Sequence, residues 1–182
     1  PTLSDQFLFY NVGPAILIGN LNGFEGVFTP ESFVDYLNTR NRDTLQSFNI
    51  DPIRPERART LEIGYRTTLW DKLFLDLGYY YTFYNDFIGF QLAIESDFDP
   101  IFGLPLNTQV YRVSANAQDQ VTTQGFAIGA NYYFGDYYSF NGNYSWNRLN
   151  TATDDPIIPA FNTPEHKYNL GISGRNIPLD LG

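Results

Sequence analysis

Apolar and polar positions alternate with a period of two through five stretches of the chain. Each stretch predicts a β-strand with unlike faces. In the first, Leu61, Ile63, Tyr65, Thr67 and Leu69 oppose Glu62, Gly64, Arg66 and Thr68. A short turn at Trp70-Asp71-Lys72 leads to a second, where Leu73, Leu75, Leu77, Tyr79, Tyr81 and Phe83 oppose Phe74, Asp76, Gly78, Tyr80, Thr82 and Tyr84. The third is entered at Val121 and sets Phe126, Ile128, Ala130, Tyr132 and Phe134 against Gly125, Ala127, Gly129, Asn131 and Tyr133. After Gly135-Asp136 the fourth runs from Tyr138 to Leu149, with Tyr138, Phe140, Gly142, Tyr144 and Trp146 opposite Ser139, Asn141, Asn143, Ser145 and Asn147. The fifth, from about His166 to Asn176, sets Tyr168, Leu170 and Ile172 against Lys167, Asn169, Ser173 and Arg175. The first two are long enough for the roughly 9–11 residues of a tilted membrane-crossing strand.

The intervening sequence is less regular. Residues 1–58 show little sustained alternation. Phe7-Leu8-Phe9-Tyr10 and Ile16-Leu17-Ile18 are short apolar runs able to pair as strand ends. Thr29-Pro30-Glu31 is a helix start, with Thr as N-cap, Pro in the first turn and an acid beside it. Phe33, Val34 and Leu37 then predict one apolar stripe on a short helix near 30–38. The stiff Ile50-Asp51-Pro52-Ile53-Arg54-Pro55 segment leads into the first strand. After Asn85-Asp86 the pattern stays partly strand-like to about Ile94, a loop is expected from Glu95 to Pro105, and pairing resumes near Gln109 to Val113. A long loop carrying Asp154-Asp155-Pro156 precedes the fifth strand. The division expected is an external loop region at 1–58 and barrel strands with their loops at 59–182.

Connections that alternate short and long are those of an outer-membrane barrel, with tight periplasmic turns and long external loops. The turns at Asp71 and Asp136 would then be periplasmic. The loops near 95–110 and 150–165, with most of 1–58, would lie outside the cell. A soluble β-sandwich also alternates. Two features favour lipid: the polar face is Asn, Ser, Gly and Gln with few charges, and Trp70, Tyr79, Tyr81, Tyr132, Phe134, Tyr138 and Trp146 gather near strand ends, where interfacial girdles form.

Composition narrows the alternatives. The 182 residues suffice for one domain and include 14 Tyr and 16 Phe but no Cys, so neither a disulfide framework nor thiolate chemistry exists. A formal charge of −9 argues against a nucleic-acid partner, which needs a basic footprint. No apolar run reaches the roughly 20 residues of a membrane helix, and alternating strands escape that criterion. Five strands leave two open edges, so either more chain completes the barrel or residues 1–58 supply about three strands for a small eight-stranded one. Pro1 follows no initiator Met or signal peptide, and the sequence reaches Leu181-Gly182 in turn-like composition. A piece of a longer protein is expected.

Four stretches carry a family resemblance. Pro1 to Gln6 resembles the tail of an "R-x-P-T-L" segment. Arg54 to Arg66 resembles the lead-in "L-x-P-E-x-x-x-x-x-E-x-G-Y-R". Asp119 to Phe126 resembles "V-x-T-x-G-x-E", with Ala127 where the acid often stands. Phe161 to Leu170 resembles "P-x-H-K-x-N-L". In this order they resemble the C-terminal part of the β-barrel of TonB-dependent outer-membrane receptors of the Bacteroidota type. The resemblance implies an all-β, antiparallel transmembrane barrel of about 22 strands around a plug, embedded in outer-membrane lipid. It also implies external loops that capture a scarce nutrient such as a siderophore or glycan, and energy from TonB–ExbB–ExbD. The plug and the TonB box find no counterpart in these residues, so the resemblance assigns barrel wall and outer loops here.

Asp97, Asp99, Asp154 and Asp155 occupy expected outer loops and are candidates for a cationic ligand or Ca²⁺. Without EF-hand spacing, solvated loop acids are the simpler account. Tyr111 and Arg112 are candidate ligand contacts at a loop base. Glu62, Arg66 and Asp76 are expected to face the lumen. His166, the single His, has no partner set for catalysis or metal binding and reads as structural. Asn143-Tyr144-Ser145 matches a glycosylation sequon inside a strand and is discounted. With no nucleophile–base set, phosphate-binding loop or dinucleotide turn, neither an enzyme nor a cofactor is expected.

Overall fold

The computed structural model describes residues 1–151 and 155–175. The chain forms two compact units. One comprises Pro1–Arg57, Asn85–Gln120 and Ala152–Ala160; the other comprises Ala58–Tyr84, Val121–Thr151 and Phe161–Gly182. The second unit will be called the wall unit and the first the loop unit.

The wall unit is a five-stranded antiparallel sheet built from the five alternating stretches: β5 (Arg57–Leu69), β6 (Leu73–Asn85), β9 (Val121–Phe134), β10 (Tyr138–Asn150) and β12 (His166–Gly174). Its order is β12-β10-β9-β6-β5, so it stays open among the described residues. Asn176, expected at the end of the fifth strand, lies outside them. Register explains why alternation was so clean. Leu77 stands opposite Ile128, Ile128 opposite Tyr144, and Tyr144 opposite Tyr168. One residue along, Asp76, Gly129, Asn143 and Asn169 form the matching polar row. A slip of one residue would turn every ring to the polar face. At the tight end, Lys72 N–H bonds Leu69 carbonyl at 3.1 Å, and Trp70 and Asp71 both have positive φ (53° and 55°). This is the mirror-image turn that matches strand twist. Gly135 (φ 65°) serves the second turn.

The loop unit holds α1 (Leu3–Phe7), β1 (Phe9–Asn11), β2 (Ile16–Ile18), β3 (Phe24–Phe28), α2 (Pro30–Thr39), a 3-10 turn (Arg42–Thr44), β4 (Ser47–Ile50), β7 (Ile88–Phe98), β8 (Pro105–Asn116) and β11 (Ile158–Pro159). Its sheet runs β1-β2-β8-β7-β3-β4, with β11 also beside β7. Among the described residues of this unit only β2 and β8 pair in parallel, Ile16 with Tyr111 through Ile18 with Val113. Val27, Phe33, Tyr36, Ile50, Ala93, Ile94, Val113, Ala115 and Ile157 are buried and form its core.

Four expectations change here. Glu95 to Phe98 belongs to β7 rather than to a loop: β7 and β8 pair as one long hairpin, with a register shift between Glu95 and Asp97. That irregularity hides the strand from a period-two reading. Helix α2 buries Ser32, Phe33 and Tyr36, while Val34 and Leu37 are exposed. Helix α1 takes Phe7 out of the expected Phe7–Tyr10 strand end, and Thr2 and Asp5 form a reciprocal capping box that starts it, a sequence-level signal. Finally, residues 1–58 do supply short strands, but all pair in the loop-unit sheet, which removes the basis for a closed eight-stranded barrel.

Candidate functional site

The wall unit presents two chemically different faces. On the apolar face, two aromatic clusters flank an aliphatic middle. Near the tight turns, Tyr132 stacks on Phe134 (6.2 Å between ring centroids) and Phe134 on Tyr138 (5.8 Å). Toward the other end, Phe126 contacts Tyr144 and Trp146, each at 5.7 Å, and Tyr144 stacks on His166 at 6.1 Å. Leu75, Leu77, Ile128 and Ala130 lie between. Ile63 and Ile172 are 73% and 75% exposed, and even centrally placed Ile128 is 41% exposed. Such exposures are not those of the buried inner face of a sandwich. The ten steps from Gln124 to Phe134 span about 34 Å at about 3.4 Å each. Tilted by about 40°, they cover about 26 Å, which matches the apolar band of about 25 Å in outer-membrane barrels.

The tips of these side chains find polar partners, as interfacial rings require. Tyr79 donates to Gln124 Oε1 (3.0 Å) and Trp146 Nε1 to Glu165 Oε1 (3.3 Å). Tyr144 hydroxyl and His166 Nδ1 lie 2.8 Å apart, so the single histidine is part of this cluster.

On the polar face, Arg66 Nε meets Asp76 Oδ2 at 2.9 Å, with both side chains exposed to solvent. Glu62 shares this face by alternation and lines the same hollow, whose floor is Gly64 and Gly78. Asparagines 131, 141, 143 and 169 extend the surface across β9, β10 and β12.

The candidate loop residues do not converge. Asp99 caps the hairpin tip, its Oδ1 accepting from Ile101 N–H (2.9 Å) and Phe102 N–H (2.7 Å). Asp97 lies beside Asn107 at the bulge, 3.5 Å away. Tyr111 packs edge-on against Phe24 at 5.1 Å. Burial raises its pKa above the ordinary value, assisted by the hydrogen bond to Glu95 and that residue's negative charge. Arg112 places its guanidinium carbon 3.1 Å from the centroid of the Phe90 ring. Burial lowers its pKa, although an arginine remains charged throughout the physiological range. Asp155 accepts three backbone N–H groups, from Gln118, Asp119 and Ile157, at 2.9 to 3.0 Å. Asp154 lies outside the described residues. Among the described residues, no group of His, Cys, Asp and Glu is arranged to hold a metal ion.

One surface escaped the sequence reading. Arg40, Arg42, Tyr36 and Phe102 line a hollow of about 600 Å³ at the hairpin tip. Tyr36 hydroxyl bonds Gly103 carbonyl, Arg42 Nη2 donates to Asp99 carbonyl (3.3 Å), and the Arg42 guanidinium lies over Phe98. The signal was the Arg40-Asn41-Arg42 cluster following a helix whose C-cap is left-handed (Arg40, φ 58°).

An exposed apolar face of membrane height, aromatic at both margins and backed by a polar face with few charges and with tight turns at one end, defines the wall of an outer-membrane β-barrel. The family model described as "TonB dependent receptor-like, beta-barrel" matches residues 14–176, and the chain belongs to that family. Its members are bacterial outer-membrane receptors that act as transporters rather than enzymes. No curated protein and no solved structure matches the chain.

Proposed function

We propose that the wall unit forms part of the barrel through which a receptor energised by the TonB–ExbB–ExbD system imports a scarce nutrient, and that the loop unit helps to capture that nutrient outside the cell. The observation that carries this reading is the registered apolar face with its two aromatic margins. Both tight turns, at Trp70-Asp71 and Gly135-Asp136, lie at one end of the strands, and the chain leaves for the loop unit only from the other. Tight turns are periplasmic in such barrels, so the long connections at the other strand ends are expected to be external. Unpaired strand edges in lipid cost several kcal/mol per orphaned group, and further strands are expected to complete the sheet around a plug that meets Glu62, Arg66 and Asp76. Among loop residues, Asp97, Tyr111 and the hollow at Arg40 and Arg42 are the ligand-contact candidates. Asp99, Arg112 and Asp155 act mainly in holding the loops.

The absence of Cys from these residues makes the test direct. Phe102→Cys and Asp136→Cys are introduced into the full-length receptor and treated in intact cells with a membrane-impermeant maleimide. Phe102→Cys should be labelled, and Asp136→Cys only after the outer membrane is permeabilised. Protection of Phe102→Cys by a ferric siderophore, an oligosaccharide, a peptide or cobalamin would identify the nutrient class. Equal labelling of both positions in intact cells would refute the orientation.

A further inference from the structure

Two arginines of the wall sheet stand on its apolar side without a partner among the described residues. Arg148 is opposite Gln124, and Gln124 is opposite Tyr81. This row lies two residues beyond the row of Trp146, Phe126 and Tyr79, the next on the same face, on the side away from the tight turns. Arg59 occupies the same end of β5. Its neighbour Thr60 holds hands with Thr82 across the polar face (2.9 Å between hydroxyls), which leaves Arg59 on the face of Leu61 and Ile63. Both arginines are exposed. Among the described residues neither forms an ion pair or side-chain hydrogen bond, whereas Arg54 and Arg57 both bind Asp86, and Arg66 binds Asp76. Glu165, just before β12, accepts from Trp146 Nε1 and lies 4.0 Å from His166 Nε2.

We propose that Arg59 and Arg148 bind the phosphates of anionic lipid headgroups in the outward-facing leaflet. The inference rests on the membrane reading above and adds a lipid-binding role to its outer margin. Tyr and Trp rings settle at headgroup level, so a guanidinium two residues further out on the same face meets the phosphates. It matches their oxygens with a planar fork of N–H donors while its apolar stem stays along the band. The chain carries a net charge of −9, so general electrostatics would repel an anionic surface. Two unpaired cations confined to the lipid side at the headgroup margin oppose that repulsion locally. β5 and β10 are three strand spacings apart, about 14 Å, so the two arginines engage separate phosphates.

The full-length receptor, purified in neutral detergent, is titrated with dioleoylphosphatidylglycerol or dioleoylphosphatidylcholine, and bound lipids are counted by native mass spectrometry. The wild type should prefer the anionic lipid. Each of Arg59→Gln and Arg148→Gln should weaken that binding about fivefold, the two together multiplicatively, while Arg148→Lys retains most of it and phosphatidylcholine binding stays constant. Heat-modifiable gel mobility confirms that each variant is folded. A folded wild type with no lipid preference, or an unchanged double variant, overturns the proposal. Displacement of the lipid by equimolar inorganic phosphate also overturns it, in favour of a free-anion site. Failure of the wild type to insert into vesicles of either lipid would instead reject the membrane reading itself.

Discussion

Tyr80 on β6 reaches over Gly125 on β9 and donates its hydroxyl to Asn147 Oδ1 on β10 at 2.8 Å. The three residues form one cross-strand row, Tyr80 opposite Gly125 and Gly125 opposite Asn147. A Cβ at position 125 would lie 2.7 Å from Tyr80 Cε1 and 2.5 Å from Trp146 carbonyl oxygen. The missing side chain is therefore what allows one ring to tie three strands together. Gly125→Ala must displace both the ring and the backbone, at a cost of about 1–3 kcal/mol. Tyr80→Phe keeps the ring and loses only the hydrogen bond, about 0.5–1.5 kcal/mol. Urea unfolding of the full-length receptor in micelles should rank the two variants in that order. A Gly125→Ala variant as stable as wild type would show that the row has no role in holding the wall.

The turn at Trp70-Asp71 leads to a second expectation. Both residues have positive φ, a region that costs an L-residue roughly 1–2 kcal/mol and that Asp tolerates better than most. Asp71→Gly removes the steric penalty but adds backbone freedom to the unfolded chain. The net expectation is a stabilisation of about 0.5 kcal/mol, seen as a higher urea midpoint. Asp71→Val should be destabilising, because a β-branched residue is a poor fit at positive φ. If the two substitutions shift the midpoint in the same direction, backbone conformation is not what selects Asp here.

The wall was legible because the sheet has two unlike environments and its pairing register is continuous, so Leu73 to Phe83 and Tyr138 to Trp146 show their faces in the letters alone. Legibility failed where local geometry broke the period. The shift between Glu95 and Asp97 disguised the outer half of β7 as a loop. On α2 the buried positions are Ser32, Phe33 and Tyr36, and hydrophobicity points instead to Val34 and Leu37. Serine is small enough to allow close packing, and Tyr36 carries a hydroxyl that needs the Gly103 carbonyl. The candidate loop acids were legible as acids of irregular segments but not as caps. The partners of Asp155 are backbone N–H groups about 36 residues away, and no sequence spacing announces them.

Asp155 gives the third prediction. Its carboxylate satisfies three N–H groups, those of Gln118, Asp119 and Ile157, and charged hydrogen bonds are worth about 1.5–3 kcal/mol. Asp155→Ala should leave the turn at 117–120 without its anchor. Hydrogen exchange at the Gln118 and Asp119 amides should accelerate about tenfold or more, while amides of the wall strands stay protected. Asp155→Asn, which retains one acceptor oxygen, should fall between. If added ligand or Ca²⁺ protects these amides in wild type but not in Asp155→Asn, the residue has a binding role beyond capping.

The fourth concerns Tyr111, whose pKa lies above its ordinary value because burial disfavours the phenolate and because the Glu95 carboxylate both accepts a hydrogen bond from the hydroxyl and repels the phenolate's charge. A raised pKa means that the folded state holds this proton more tightly than the unfolded state does. Linkage then gives a stability contribution fully present below pH of about 10, the unfolded tyrosine value. It is lost as pH rises through the folded pKa. In an alkaline titration followed by tyrosinate absorbance, Tyr111→Phe should remove amplitude from the late, high-pH part of the curve. Glu95→Gln should move that amplitude to lower pH without abolishing it, because burial is the larger cause and remains. Amplitude lost from the early part of the curve in Tyr111→Phe would mean that the hydroxyl is hydrated and that Glu95 does not hold it.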